Sequence, residues 1–335
     1  MRILVLLAFW LWPGVALCQD WEDRRLFGAA DAPTVLRIIS STDTSFFVPI
    51  IEEFTAASPD VAVEYLVTGT ADLDRVFRAS PETFDLAISS AMDLQLKLTN
   101  DGLARRIEGL DHPVWAVWRQ SLFGFTTEPA AIVIRKAAFA GMPLPQGRQD
   151  LIDALRAQPN RFRGRIGTYD VRQSGLGYLF ATQDARASET FWRLMEVMGG
   201  LGTQLYCCSG DMIDDLVEGR IAVAYNVLGS YAAARAQQDD SIEIILPSDF
   251  PTTMMRTALV SRSAPHPDQA RQFLAHLIRF QAAQGGKGTL PPLDTSPDNG
   301  AASAIALEPA LMTYLDTLKR RTFLQEWTDA VIQAN

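Results

Sequence analysis

The chain has 335 residues, room for two domains at about 150 residues each. Hydrophobic residues make up 48% and charged residues 21%, so a sizeable core is available and wholesale disorder is excluded. Acidic residues outnumber basic ones 39 to 30, a net charge of −9 with no lysine/arginine run, which argues against nucleic acid as a partner. Three histidines and three cysteines are too few for a metal-rich or disulfide-dense design.

Met1 and Arg2 precede an apolar stretch over residues 3–12, broken by Pro13 and Gly14. Such a stretch is too short to span a bilayer, which takes about 20 residues. Ala16 and Cys18 fill the small-residue positions of a cleavage site, so residues 1–18 read as a secretory signal peptide. Lipidation of Cys18 is the alternative, opposed by the bulk of Leu17 before it. Cleavage leaves Cys207 and Cys208, adjacent in the chain. They read as two small buried side chains at a strand end; a vicinal disulfide in the oxidising compartment is the strained alternative.

Residues 19–33 read as an irregular lead-in, and the apolar run over 34–40 as a buried strand. Ser41-Thr42-Asp43-Thr44-Ser45 is dense in helix-capping types, and Phe47, Ile50, Ile51 and Phe54 follow at helical spacing. Pro49 fits that helix only within its first turn. A strand over 61–67, a helix over 72–79, a strand over 84–89 and a helix over 91–100 continue the alternation of a parallel α/β layer. The middle of the chain repeats it. Strands are expected over 131–135, 165–169, 221–225 and 243–246, with helices over 149–158, 174–180, 191–198 and 211–218. Residues 256–261 read as extended, a helix starts at Pro267, residues 285–288 and 291–300 read as loop, and 309–332 as helical.

Motifs for catalysis fail one by one. Ser174 lacks the preceding glycine of a nucleophile elbow, and Gly286-Lys287 lacks both the upstream glycine and the hydroxyl of a P-loop. His112, His266 and His276 are scattered. No enzyme, cofactor or metal centre is expected. What recurs instead is a strand that ends in small hydroxyl or glycine residues and opens a helix: 41–45, Ser89-Ser90 and Ser174-Gly175. Each is ordinary capping taken alone. Together they suggest a shared cleft lined by helix N-termini, beyond the carboxyl ends of the strands.

Several strings then resemble bacterial periplasmic solute-binding proteins of the ferric-iron-type ABC-transporter class. Phe84-Asp85-Leu86-Ala87-Ile88-Ser89-Ser90-Ala91-Met92-Asp93-Leu94-Gln95 is one, and Thr127-Glu128-Pro129-Ala130 is similar to the first crossover between lobes. Ala224-Tyr225-Asn226-Val227-Leu228-Gly229-Ser230-Tyr231 resembles the second-lobe ligand loop, and residues 264–274 the helix after the return. Within the class, the phosphoglycerate-transport regulatory and hexose-phosphate-binding proteins are the most similar subgroup. The resemblance implies a two-lobed type 2 periplasmic-binding fold, α/β in class, with lobe one over 34–126 plus 252–335 and lobe two over 127–251. It implies a monomer that closes on a small-molecule ligand at its hinge and is read by an ABC permease or, alternatively, by a histidine-kinase ectodomain. The iron-binding branch uses adjacent tyrosines; here Ala232 follows Tyr231, and Tyr225 lies six residues earlier. The Gly-Gln ending of the first-lobe helix is also replaced, Gln284 preceding Gly285.

The polar contacts expected for the ligand are Thr42, Asp43, Thr44, Ser89 and Ser90 from lobe one, Thr127 at the crossover, and Tyr169, Ser174, Gly175, Asn226 and Tyr231 from lobe two. Arg256, after the second crossover, is the cation expected to meet a phosphorylated or carboxylated organic solute; a salt bridge that stabilises the lobes is its alternative role.

Overall fold

The computed structural model describes residues 21–284, 289–294 and 304–333. The expected signal peptide, the loop at 285–288 and residues 295–300 lie outside them. Two sheets, one per lobe, organise the chain.

The first sheet begins with β1 (Asp23–Phe27), β2 (Thr34–Ser40), β3 (Val61–Val67) and β4 (Leu86–Ser89). β2 is parallel to both β3 and β4, with Ile38 opposite Tyr65 on one side and Leu86 on the other. Helices α1 (Thr44–Ala57), α2 (Thr70–Ala79) and α3 (Met92–Asn100) follow β2, β3 and β4, as the alternation predicts. Phe47, Ile50, Ile51 and Phe54 of α1 are buried, and Phe54 meets Phe273 edge-on with ring centroids 5.1 Å apart. Pro49 lies in the second turn of α1 rather than the first. The bond it forgoes is the one to the carbonyl of Ser45, an exposed residue of the first turn, so the helix continues through it.

The lead-in expected at 19–33 contains β1, an edge strand antiparallel to β3. Its sequence, Asp-Arg-Arg-Leu-Phe, shows no apolar face because four of its five residues are exposed. Arg24 instead pairs with Glu64 on β3. The far side of the sheet is made by β5 (Val117–Trp118), β6 (Leu122–Gly124) and the late strand β13 (Thr257–Val260), which returns antiparallel between β4 and β6.

The second sheet starts at β7 (Glu128–Arg135). It is followed by α4 (Arg148–Ala157), α5 (Pro159–Phe162), β8 (Ile166–Tyr169), α6 (Gly175–Ala187) and α7 (Thr190–Gly200). Then come β9 (Gln204–Tyr206), α8 (Ser209–Val217), β10 (Val223–Leu228), α9 (Gly229–Ala236), β11 (Ile242–Ile245) and β12 (Thr253–Met254). The strand order is β11-β7-β10-β8-β9, with β12 alongside β7. After β13, α10 (Pro267–Gln284) packs on the first sheet through Phe273, Leu274 and Leu277.

The end of the chain departs from the expected division. Residues 309–332 are not one helix: a 3-10 segment (Pro309–Leu315) is followed by α11 (Thr317–Val331), whose N-cap Asp316 accepts from the amides of Leu318 and Lys319. Phe323, Trp327 and Val331 of α11 join the second lobe's core with Phe191, Leu194, Met195 and Met198 of α7. Gly199 permits this packing, because a β-carbon there would overlap the carbonyl of Ala330. The chain therefore crosses between the lobes a third time before it ends, and its last helix rests on lobe two. Among the described residues no helix is long and apolar enough to cross a membrane.

Candidate functional site

The carboxyl ends of β2, β3 and β4 deliver the chain into α1, α2 and α3. Across the gap, β8, β9 and β10 deliver it towards α6, α8 and α9. Helix N-termini of the two lobes thus face one cleft, and several contacts span it, the rings of Phe46 and Tyr231 among them with centroids 4.7 Å apart. The Tyr231 hydroxyl donates to Asp43 Oδ1 at 2.9 Å and accepts from the Asp43 amide at 3.3 Å. The Leu176 amide donates to Thr70 Oγ1 at 3.1 Å. Gly175 sits so close to the first lobe that a β-carbon would lie 2.9 Å from Leu94 Cδ1 and 3.3 Å from Ala91 Cβ.

The floor of the cleft is a buried ion pair between the two crossing strands. Arg256 donates from Nε to Glu128 Oε1 and from Nη2 to Glu128 Oε2, both at 3.0 Å. Both residues are 0% exposed. Glu128 also accepts from Thr126 Oγ1 at 2.7 Å and from the Ser230 hydroxyl, while Arg256 Nη1 donates to Thr42. Burial alone would lower the guanidinium's pKa; the Glu128 carboxylate overrides this and the net shift is upward. The cation expected to face an anionic solute is therefore neutralised inside the hinge. The physical reason is the carboxylate one residue past Thr127, which the sequence reading left out of the site.

The remaining expected contacts divide into groups. Thr42 is buried beside Arg256, and Thr44 is buried with its hydroxyl 2.5 Å from Asp23 Oδ2. Ser89 accepts from Ser41 Oγ at 3.2 Å and from the Ala91 amide at 3.1 Å. The Ser90 amide donates to Ser41 Oγ at 3.2 Å, and no group bonds the Ser90 hydroxyl among the described residues. Tyr169 pairs its hydroxyl with Ser209, and burial pushes its pKa up. Ser174 is the N-cap of α6, accepting from the Gly177 amide at 3.1 Å. Thr127 faces away from this set: its Oγ1 accepts from the Asp294 amide at 2.8 Å.

Asn226, Tyr231 and the neighbouring Tyr225, which was not among the expected contacts, also separate. Asn226 has φ +63° at the irregularity where β10 shifts register on β7, and its Nδ2 donates to Asp184 Oδ2 at 2.9 Å. Its Oδ1 is buried without a partner. Tyr225 points into the lobe, donating to Asp184 Oδ2 at 2.6 Å and accepting from Arg148 Nε at 2.7 Å. Only Tyr231 reaches the cleft. Burial holds both phenols well above their ordinary range.

Carboxylates from both lobes gather around Glu22 at the cleft mouth, and Arg235 lines the cavity that holds Asp43 and Tyr231. Glu22, before β1, titrates above the ordinary carboxylate range, first through partial burial and then through the charges of Asp43, Asp211 and Asp72. These come from both lobes. The cysteines read as buried are not: Cys207 is exposed and Cys208 partly so, because the turn between β9 and α8 lies at the mouth of the cleft. A cavity of about 880 Å³ lies on the hinge side between Phe46 of α1 and Ser230 of α9, and none of the twelve expected contacts lines it. Asp43 and Tyr231 line a smaller one of about 240 Å³.

This two-lobed trap is the architecture of a solute receptor. Residues 50–313 match the family model for bacterial extracellular solute-binding proteins, and the chain belongs to that family. It is similar to the substrate-binding protein of an ABC transporter from Agrobacterium tumefaciens: 32% identity over 92% of this chain and 98% of that one, with a TM-score of 0.86. More distantly, it shares its fold with AfuA from Actinobacillus pleuropneumoniae, solved with fructose-6-phosphate. Identity there is 15%, over 90% of this chain and all of that one, with a TM-score of 0.69. Iron-bound HitA from Pseudomonas aeruginosa is 17% identical over 89% of this chain and 99% of that one, with a TM-score of 0.66. A search of curated proteins finds no match.

Proposed function

We propose that the protein is the periplasmic receptor of an ABC importer, closing its lobes on a small solute and presenting the closed form to a permease. The observation that carries this reading is the pairing of helix N-termini from opposite lobes across one cleft, bridged by Tyr231 and Asp43. Export is supported by the family and by the secretory pattern at the N-terminus. The protein binds and releases its solute rather than transforming it. The cleft hydroxyls of Ser89 and Ser174 are engaged by the amides of Ala91 and Gly177, and the floor ion pair is closed on itself.

We further propose that the solute presents hydrogen-bond donors, hydroxyl or amine, and is neutral or cationic. The reason for expecting an anion was Arg256, whose charge Glu128 cancels. Glu22, Asp43, Asp72 and Asp211 then set the field at the mouth, which attracts positive and repels negative solutes. Thermal unfolding against neutral polyols, amines, sugar phosphates and carboxylates tests this. A solute in hundredfold excess over its dissociation constant adds about 2.7 kcal/mol of stability. A midpoint rise with polyols or amines is expected. A rise confined to phosphates or carboxylates overturns the solute class, and turnover of any bound compound overturns the receptor reading.

A further inference from the structure

At the lip of the cleft, the turn from β9 into α8 gathers three metal-ligating side chains. Cys207 Sγ lies 3.4 Å from Cys208 Sγ and 3.8 Å from Asp211 Oδ2, and one ligating atom from each residue falls within 4.8 Å of the others. We propose that Cys207, Cys208 and Asp211 bind a thiophilic divalent cation of the zinc or cadmium class, as a site separate from the solute floor at Arg256 and Glu128. It goes beyond the receptor reading and does not rest on the solute class.

The spacing is that of a tetrahedral metal's ligand edges. With metal–sulfur bonds of about 2.3 Å and metal–oxygen bonds of about 2.1 Å, a tetrahedron has S···S edges of about 3.8 Å and S···O edges of about 3.6 Å. The two observed separations lie within a few tenths of an ångström of these. Two sulfurs and one carboxylate also select the chemistry, since thiolates favour zinc and softer ions over magnesium or calcium. Three protein ligands leave the fourth position for water or a further ligand, and Asp211 lies close enough to Glu22 of the first lobe to raise its pKa. Two thiolates and a carboxylate outweigh a divalent ion by one negative charge, and that charge sits at the N-terminus of α8, where the helix dipole stabilises it. Binding requires both thiols to release their protons to water, so uptake of the ion acidifies an unbuffered solution. Among the described residues no lysine or arginine forms an ion pair with Asp211.

The test is a Cd²⁺ titration of the exported protein, freshly reduced, followed by the ultraviolet thiolate-to-metal charge-transfer band, with Zn²⁺ then measured by competition against a chromophoric chelator. One equivalent of Cd²⁺ should produce the band. Cys207→Ser and Cys208→Ser should each weaken binding by at least a hundredfold, and Asp211→Asn by about tenfold, with circular dichroism and the unfolding midpoint of the metal-free variants unchanged. A reduced protein that gives no band overturns the proposal, as does a band that survives either serine variant. Binding indifferent to Asp211→Asn overturns the three-ligand site. A thiol count of zero after export, restored by reductant without metal uptake, identifies a vicinal disulfide instead and likewise overturns it.

Discussion

Arg256 and Glu128 give the sharpest test of how this hinge is built. Both are fully buried, and each carboxylate oxygen accepts two hydrogen bonds, from Arg256 and from a hydroxyl of Thr126 or Ser230. Breaking a buried pair by removing one partner costs about 3–5 kcal/mol, because the charge left behind has neither water nor counter-ion. Arg256→Met and Glu128→Gln should each destabilise by that amount, a fall of roughly 6–10 °C in the unfolding midpoint at about 2 °C per kcal/mol for a chain of this size. Replacing both, as Glu128→Gln with Arg256→Met, strands no charge. The double variant should therefore fall short of the summed single losses by at least about 3 kcal/mol. Urea unfolding followed by tryptophan fluorescence, with midpoint and slope compared across the four proteins, measures this. If Arg256 faced the solute instead, Arg256→Met would leave the midpoint of the solute-free protein in place and weaken binding by on the order of 2–5 kcal/mol. That result, or strict additivity of the two substitutions, would refute the closed ion pair.

Three further predictions follow from neighbouring elements. Burial pushes the Asp93 carboxyl from its ordinary 3.8 up to about 7, and its Oδ1 has no partner, so the folded protein holds a proton there that the unfolded chain has lost. Stability from this group is full below about pH 4 and is lost as pH rises through about 7, on the order of 4 kcal/mol in all; Asp93→Asn should remove that slope, and parallel stability–pH curves for the two proteins would dismiss it. Gly175→Leu should hold the lobes apart, since even a β-carbon meets Leu94 at 2.9 Å. Small-angle scattering should show a larger radius of gyration, and an unchanged radius would mean the cleft closes without that contact. Tyr231→Phe removes the hydroxyl that bridges to Asp43 and should cost about 1 kcal/mol of solute affinity with little change in the solute-free unfolding midpoint; undiminished affinity would take the bridge out of closure.

What the sequence made legible is what local pattern controls. The apolar runs at 34–40 and 61–67 and the helical spacing of Phe47, Ile50, Ile51 and Phe54 each report their own surroundings, and the strands and helix they predict are present. β1 was missed because an edge strand with four exposed residues has no apolar face to betray it; its register rests on Glu64, in a strand that had not yet been paired with it. Glu128 was missed for a related reason. Its partner lies 128 residues away, and nothing local distinguishes a buried hinge carboxylate from a solvated one. The turn at Cys207 was misread as interior because small sulfur side chains usually are, whereas its exposure follows from where β9 ends relative to the other lobe.

The capping reading and the cleft reading of the hydroxyl clusters are not alternatives in this fold. Ser174 caps α6, and Ser89 accepts from the amide of Ala91 in the turn that leads into α3, so these side chains act mainly by fixing where each helix begins, and what the cleft receives from them is the direction of the backbone amides. The same division of labour appears behind the cleft in lobe two. There Asp184, fully buried, gathers Arg148, Tyr225, Asn226 and Thr252, joining α4, α6, the irregular end of β10 and the strand that returns to lobe one. A lobe braced in this way moves as one body, and motion is left to the crossings. At two of those crossings the Arg256–Glu128 pair joins the strands directly, with Thr42 held from one lobe and Ser230 from the other. A charge pair that would be a poor ligand contact, because it is already neutral, is for the same reason a good pivot: it keeps both strands in register while the surfaces that meet the solute open and close around it.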